Sequence, residues 1–190
     1  FFEPKAPFDY IILNSNLEVI QYEDYKLEIE IIGDEIPSEV SVKINGNSFR
    51  LKSNSNTTFE YLFKGVITDI SFQLLAGGYS SNYYTLKALP QPKIVELTTF
   101  LNYPNYTKIK DESIKNNGDL IIPEGTIVHW EASIQNTKNI TFVFSESIHN
   151  QNTDNTFTYK KQLFSSTPYQ IITQNEHQLS DSLSYFIKVI

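Results

Sequence analysis

The sequence contains no cysteine and no methionine, and its 190 residues include a single arginine, Arg50, and three histidines. The absence of cysteine excludes disulfide bonds, thiolate metal sites and cysteine nucleophiles. With one arginine, the bidentate guanidinium contacts that often hold phosphate or carboxylate ligands are almost absent. Chemistry that needs a thiolate is therefore excluded, and binding sites built on arginine are not expected.

Positive charge is also scarce. There are 15 Lys and Arg residues against 22 Asp and Glu residues, which gives a net charge of −7 and an isoelectric point near 5.0. Binding to nucleic acid needs a basic surface, so we predict no nucleic-acid partner. No apolar run reaches the length of a membrane span. Because the first residue is Phe1 and no signal peptide is recognisable, we expect a processed or excised segment of a longer protein.

Apolar residues alternate with polar ones along much of the chain. Leu27, Ile29 and Ile31, for example, alternate with charged residues, which is typical of a half-buried β-strand. The segment Val40–Ile44 alternates in the same way and is followed by Asn45-Gly46, a strong short signal for a β-hairpin. The sequence therefore predicts strands joined by tight turns.

The same reasoning extends over the whole chain. No stretch shows a sustained helical period, and β-branched and aromatic residues are dense. The strand that contains Leu27 is predicted at 25–32, and the remaining strands are predicted at 48–52, 57–63, 67–75, 83–89, 93–100, 118–122, 127–134, 139–144, 156–164, 169–174 and 184–190. About seven short strands in each half indicate an all-β protein of two tandem immunoglobulin-like antiparallel β-sandwich domains.

Prolines at both ends of the segment 90–92 mark the boundary between the halves, because they forbid a helix and stiffen the chain. We predict a first immunoglobulin-like domain at 1–89, beginning with a lead-in at 1–8. A proline-rich linker follows at 90–92, and the second domain occupies 93–190.

An internal repeat supports this division. Glu23 opens a predicted strand as Glu124 does, and the two residues are 101 positions apart. Tyr84 and Tyr185 lie in similar closing strands and are also 101 positions apart. The halves are therefore predicted to be copies of one fold.

Catalytic patterns are missing from the sequence. The histidines, His129, His149 and His177, are widely spaced and form no HExxH or other metal-binding motif. His129 lies beside Trp130 in an alternating strand, so we expect Trp130 to face the core and His129 to face solvent. No GxSxG nucleophile elbow is present either. We predict no catalytic residues and no enzymatic activity.

Acidic loops raise the question of Ca²⁺, which binds through several oxygen ligands. The loop 149–155 offers amides but a single carboxylate, Asp154. Carboxylates also occur at 111–112 and at Asp119 and Glu124, but none of these segments matches the EF-hand pattern. We therefore predict solvated loops and no cofactor or metal, with Ca²⁺ as the alternative.

Exposed aromatic side chains can form platforms on which sugar rings stack. Tyr79, Tyr83 and Tyr84 cluster near a Gly-Gly turn, while Tyr103 and Tyr106 flank a Pro-Asn turn. These five tyrosines are the candidate contact residues for a ligand or partner. In small sandwiches tyrosines are commonly half-buried, so a carbohydrate-binding module is the alternative and not the main hypothesis.

Two long motifs resemble a known family. The segment Asn117–Thr137, NGDLIIPEGTIVHWEASIQNT, follows PKIVELTTFLNYPNYT at Pro92–Thr107. Together they resemble a domain family of unknown function from large membrane-anchored envelope proteins of Bacteroidetes-type bacteria, with its yPxYT, nGdl and vPeGT patterns before a Trp strand. The step from Gly33 to Pro37 is similar to the domain that precedes it. The resemblance spans essentially both halves and supplies no catalytic residues.

The resemblance implies tandem immunoglobulin-like domains that are exposed to the periplasm or at the cell surface. It also implies membrane helices N-terminal to this segment and a further chain beyond Ile190. Trp130 resembles the buried core tryptophan of immunoglobulin-like sandwiches, which usually lies on the third strand.

These observations predict a non-enzymatic, extracytoplasmic segment of a larger bacterial envelope protein, acting as a protein-interaction module or a structural spacer. We expect an unidentified protein partner in the cell envelope, a monomeric segment, and membrane contact only through other parts of the parent chain. A binder should present a contiguous apolar or aromatic patch, and a spacer should present scattered polar residues. If a partner adds a strand, Tyr83–Leu89 and Lys93–Phe100 are the candidate edges.

Overall fold

The computed structural model describes residues 6–153 and 155–190, and it divides into two compact units, Phe1–Pro90 and Gln91–Ile190. Apart from a short 3-10 turn at Asn105–Thr107, the regular elements of the described chain are all β-strands. Each unit has a hydrophobic core of its own.

The first unit is a sandwich of two sheets. One sheet has the strand order β1-β3-β7-β6, and the other has the order β2-β10-β8-β4-β5, with β9 paired to β8. The strands are β1 (Phe8–Ile12), β2 (Glu18–Ile20), β3 (Tyr25–Gly33), β4 (Ser41–Ile44), β5 (Asn47–Arg50), β6 (Lys52–Ser53), β7 (Thr58–Phe63), β8 (Ile70–Ala76), β9 (Tyr79–Ser80) and β10 (Tyr84–Leu89).

The second unit is also a sandwich of two sheets. Its sheets have the orders β12-β11-β14-β17 and β13-β19-β18-β15-β16. The strands are β11 (Lys93–Asn102), β12 (Glu112–Lys115), β13 (Leu120–Ile122), β14 (Ile127–Gln135), β15 (Asn139–Phe144), β16 (Ser147–Asn152), β17 (Thr156–Gln162), β18 (Thr167–Gln174) and β19 (Ser180–Val189).

The alternating sequence pattern explains both cores. On β3, Leu27, Ile29 and Ile31 are fully buried, while the charged residues between them lie outward. On β15, Ile140 and Phe142 are fully buried in the same way. Successive side chains of a strand point to opposite faces, so each strand supplies one apolar row to the space between its two sheets.

Most neighbouring strands are antiparallel, which confirms the predicted all-β, immunoglobulin-like antiparallel sandwich. Each unit also contains one parallel pair. The strand β2 runs parallel to β10, and β13 runs parallel to β19. The strands β1 and β2 lie in different sheets, and so do β11 and β13. The chain therefore crosses from one sheet to the other near the start of each unit.

The hairpin predicted at Asn45-Gly46 is confirmed. Both residues have positive φ, 48° and 83°, as a type I′ turn requires. The turn joins β4 to β5 and is closed by Ile44 opposite Asn47. A hairpin of the same length joins β15 to β16 and is closed by Phe144 opposite Ser147. The two hairpins are thus equivalent parts of the two units.

The predicted repeat is present, but one of its two pairings is wrong. Tyr22 N donates to the Val66 carbonyl at 2.7 Å, as Gly125 N donates to the Leu163 carbonyl at 2.7 Å. Tyr22 therefore corresponds to Gly125, and these residues are 103 positions apart. Glu124 consequently corresponds to the residue before Tyr22 and not to Glu23.

Most strands that the sequence does not predict are short or polar, and the exception is β1, FDYII, which begins where the predicted lead-in ends. The predicted lead-in 1–8 reaches into a strand at its last residue, Phe8, and its residues 1–5 lie outside the described residues. The strands β2, β6, β9 and β12 have two to four residues each, too few to show alternation. The longer β16 was missed because its sequence, SIHNQN, has one apolar residue.

Candidate functional site

Trp130 lies at the centre of the second core. It is fully buried on β14, in phase with Val128 and Ala132, whereas His129 points outward and is partly exposed. This confirms the orientation predicted for both residues. The strand β14 lies between β11 and β17, in the four-stranded sheet.

A buried hydrogen-bond relay holds this tryptophan. Trp130 Nε1 donates to the Tyr169 hydroxyl at 3.2 Å, and that hydroxyl donates to the Gly118 carbonyl at 2.8 Å. Burial raises the pKa of Tyr169 far above its ordinary value. A Cβ on Gly118 would lie 2.5 Å from the Tyr169 hydroxyl oxygen and 2.4 Å from Tyr185 Cδ2, so only glycine fits. The relay supports the fold and offers no reactive group to solvent.

The first group of candidate tyrosines is mostly committed to packing. The half-buried Tyr79 packs edge-on against Phe8, with ring centroids 5.9 Å apart. The half-buried Tyr84 packs against Phe72 at 5.5 Å. Only Tyr83 is largely exposed, at 70%. In the first unit, one of the three candidates is therefore available as a platform.

The second group divides in the same way. Tyr103 is half-buried, and its hydroxyl donates to Glu112 Oε1 at 2.5 Å. Burial, and next the Glu112 carboxylate, raise the pKa of Tyr103 to about 12. Tyr106 is 69% exposed, and its hydroxyl donates to the Glu124 carbonyl at 2.6 Å. Tyr106 alone of this pair presents its ring to solvent.

Tyr106 borders an open depression of about 410 Å³. Pro104, Gly125, Gln162 and Phe164 also line it, and Glu124 is the one titratable acid on its rim apart from the tyrosine. The two largely exposed candidate tyrosines belong to different units, so the five candidates form no shared platform within either unit. The carbohydrate alternative is therefore not favoured.

The histidines do not converge in the described part of the chain. His129 Nε2 lies 3.8 Å from Glu131 Oε1, and the His149 ring stacks on Tyr159 with centroids 4.4 Å apart. His177 is exposed at a turn. Among residues 6–153 and 155–190, no three His, Cys, Asp or Glu residues are grouped so that they could hold a metal ion.

The acidic loops use their carboxylates within the fold. Asp111 accepts a hydrogen bond from Asn102 Nδ2 at 2.8 Å, and this bond, with one from a backbone N–H, lowers the pKa of Asp111. Asp119 accepts from Phe186 N at 2.8 Å, which fastens a loop to β19. Asp154, considered for Ca²⁺, lies outside the described residues.

The two segments predicted as candidate free edges are each covered by a short strand over part of their length. The strand β10 pairs with β8 over Tyr84–Leu86 and with β2 over Lys87–Leu89. The strand β11 pairs with β14 and also, over Thr98–Leu101, with β12. Short strands that the sequence did not reveal therefore cover part of each.

The five-stranded sheet of the second unit has an unusual outer surface, which we call the neutral face. It is formed by the outward residues of β13, β15, β16, β18 and β19. Of these strands' outward residues in the described chain, Lys188 alone is charged. The central part of the neutral face consists of Asn139, Thr141 and Val143 on β15 and Gln170, Ile172 and Gln174 on β18.

Amide and hydroxyl groups on the neutral face bond to one another. Asn139 Nδ2 donates to Asn152 Oδ1 at 3.0 Å, and Gln170 Nε2 donates to Ser184 Oγ at 3.1 Å. A small apolar strip crosses the neutral face, since Val143 lies opposite Ile148 on the neighbouring strand. This combination can bury surface against a partner without desolvating charges.

The corresponding surface of the first unit is charged. Its outward residues include Glu18, Lys43, Arg50 and Lys87. The four-stranded sheets carry outward charges as well. The neutral face thus differs from its own repeat within the chain, although the two sheets have the same strand order.

The described residues contain no helix that is long and apolar enough to cross a membrane. No protein-family model matches the sequence, and a comparison with curated proteins gives no significant match.

Several solved structures are similar in fold. Fibronectin(III)-like modules of Clostridium thermocellum CbhA are 8% identical, with 95% of each chain covered and a TM-score of 0.42. Rst D1-D2 is 10% identical, with 97% of this chain and 100% of that chain covered and a TM-score of 0.49. Bovine butyrophilin is 9% identical, with 94% and 98% covered and a TM-score of 0.44. The fold assignment itself rests on the strand pairing described above.

Proposed function

We propose that this chain is a non-enzymatic, extracytoplasmic segment of a larger bacterial envelope protein and that it binds a protein partner through the neutral face. The observation that carries the proposal is the near absence of charge from this surface in a chain whose net charge is −7. The envelope setting is supported by the motifs at Asn117–Thr137, whose resemblance to an envelope family is described above.

An interaction module accounts for the neutral face better than a spacer does. A spacer needs only solubility, and interspersed charges provide that on the other sheets. Interface centres, in contrast, are depleted of charged residues. Ile148 and Val143, which lie opposite each other, and Ile172, which lies opposite Thr141, supply apolar contact, and the surrounding amides supply hydrogen bonds that fix orientation.

Two matched substitutions test the proposal. Ile172→Glu places a carboxylate at the centre of the neutral face, and Ile32→Glu makes the same change at an exposed position on β3 of the first unit. The whole chain and both variants are immobilised in parallel and exposed to envelope extract, and bound proteins are then cross-linked to them. Circular dichroism verifies that each variant is folded.

We expect a protein that is retained by the original chain and by Ile32→Glu and is lost with Ile172→Glu. Burying an unpaired carboxylate in an interface weakens binding strongly, so the loss should be at least tenfold. Equal retention by all three chains would place the contact elsewhere. No retained protein, at several salt and Ca²⁺ concentrations, would favour the spacer.

A further inference from the structure

The strand β16 is an unprotected edge. The other outermost strands in the described chain are either three residues or shorter, or they carry charge. The charged residues on the longer ones are Asp9 on β1, Arg50 on β5, Glu112 and Lys115 on β12, and Lys160 and Lys161 on β17. The six residues of β16 include neither a charged residue nor a proline. Such edges readily accept another strand.

Comparison of the two units makes the difference specific. The equivalent hairpins place Arg50 opposite Ser41 and Asn150 opposite Thr141. Asn150 therefore occupies the position that the single arginine holds in the first unit. Arg50 is exposed and forms an ion pair with Glu39 at 2.9 Å. A charge on an edge strand opposes strand addition, so the first unit is protected where the second is not.

The backbone N–H and C=O groups of β16 that do not bond to β15 lie in a regular row. Thr153 N donates to the Lys138 carbonyl of the neighbouring chain segment at 3.0 Å, so the odd-numbered residues of β16 bond toward β15. In an antiparallel ladder the bonding direction alternates along the strand. The N–H and C=O groups of Ile148, Asn150 and Asn152 consequently point away from the sheet.

The inner side of β16 is fixed by contacts. His149 stacks on Tyr159 with an interplanar angle of 18°, and Lys161 Nζ donates to Ser147 Oγ at 2.9 Å. Lys161 also lies over the Phe144 ring, 4.9 Å from its centroid. The strand is therefore held in an extended form before any partner arrives, which lowers the entropy cost of pairing.

We propose that β16 pairs antiparallel with β16 of a second copy of this chain, joining two five-stranded sheets into one. Asparagine and glutamine both donate and accept hydrogen bonds, so a strand of uncharged amides complements itself. In the two-fold arrangement Asn150 lies opposite the same residue of the copy, and Ile148 lies opposite Asn152. The bond between Asn139 and Asn152 is an existing example of such an amide pair.

The pairing revises the expectation of a monomer drawn from the sequence. Each copy carries a net charge of −7, and β16 allows approach where neither copy presents a charge on the strand. A contact of six residues buries less surface than a permanent interface, so the dimer is weak and reversible. Added salt should strengthen it by screening the repulsion between copies.

Sedimentation equilibrium of the whole chain tests this, from about 10 µM to about 1 mM. The mean mass should rise from 21.9 kDa toward twice that value. Asn150→Arg, which copies the first unit, should remain at 21.9 kDa throughout. Ser71→Arg adds the same charge to the outer surface of β8, an inner strand, and should associate like the original chain.

Amide hydrogen exchange supplies a second readout on the unmodified chain. The N–H groups of Ile148, Asn150 and Asn152 should exchange roughly tenfold more slowly once about nine-tenths of the copies are paired. A constant mass over the whole range would overturn the proposal. Association that survives Asn150→Arg, or that leaves these three amides unprotected, would equally overturn it, because the contact would lie elsewhere.

Discussion

Tyr169 links two buried polar groups in the second core. One hydroxyl group satisfies both the buried Trp130 Nε1 and the Gly118 carbonyl. A buried polar group that loses its partner costs more than the lost hydrogen bond alone. The contribution of Tyr169 is therefore larger than that of an exposed tyrosine of the same unit, such as Tyr106.

Tyr169→Phe should lower the free energy of unfolding of the second unit by about 1 to 3 kcal/mol. The physical reason is that two buried groups are left without a partner, while the ring and its packing remain. Urea unfolding followed by the fluorescence of Trp130, the single tryptophan, measures this unit specifically. Tyr106→Phe is the control and should change the value by less than about 0.5 kcal/mol.

Tyr169→Phe should also change how the stability of the second unit depends on alkaline pH. Burial raises the pKa of Tyr169 in the folded chain above the ordinary value of 10.0, so the protonated form is favoured by folding. The stability from this group is fully present below pH 10 and is lost as pH rises beyond it. Tyr169→Phe should therefore lose less stability above pH 10 than the original chain. An equal loss of stability in the original chain and in Tyr169→Phe would show that the Tyr169 hydroxyl does not cause the pH dependence.

At the scale of elements, the turns before β3 and β14 use different residues for one backbone shape. Tyr22 has φ of 71° and is 73% exposed, and the equivalent Gly125 has φ of 83°. A side chain disfavours this left-handed region, whereas glycine adopts it freely. A Cβ on Gly125 would make ordinary contacts of 3.5 Å or more, so the cost there comes from the backbone.

Exchanging these residue types should change the two units in opposite directions. Tyr22→Gly should stabilise the first unit by about 1 kcal/mol, and Gly125→Ala should destabilise the second by about 1 kcal/mol. Circular dichroism follows both units during urea unfolding, and Trp130 fluorescence reports the second. Changes of the same sign would show that contacts in the turn outweigh the backbone conformation.

The elements also show what the sequence could predict. Strand β14 was predictable because Val128, Trp130 and Ala132 form a long apolar row. Strand β16 was not, because Ser147 and His149 point inward and are polar. Their inward position depends on Lys161 and Tyr159 of the opposite sheet, and such contacts are invisible in a single sequence.

The neutral face could not be predicted for a related reason. Alternation shows which residues of one strand share a side, but it does not show which strands are neighbours. Thr141 and Ile172 meet because β15 pairs with β18, and these strands are separated in the chain by β16 and β17. The candidate tyrosines, by contrast, are neighbours in sequence, and proximity in sequence says little about the exposure of a side chain.

At the scale of the whole molecule, each unit has its own core, and none of the described residues belongs to both. Leu74 on β8 and Ile171 on β18 are fully buried at equivalent positions, opposite Val42 and Phe142 respectively. Truncating such a side chain to alanine leaves a cavity and costs about 2 to 5 kcal/mol. The pair therefore allows each core to be weakened separately.

Leu74→Ala should shift the unfolding of the first unit and leave the transition seen by Trp130 fluorescence unchanged, because the tryptophan lies in the other core. Ile171→Ala should move the fluorescence transition to a lower urea concentration. The transition of the first unit, followed by circular dichroism, should keep its original midpoint. Substitutions at well-separated sites change the free energy of unfolding independently when each unit unfolds on its own. If Leu74→Ala moved the fluorescence transition as far as Ile171→Ala does, the two units would unfold as one cooperative body, and separate cores would not mean separate stabilities.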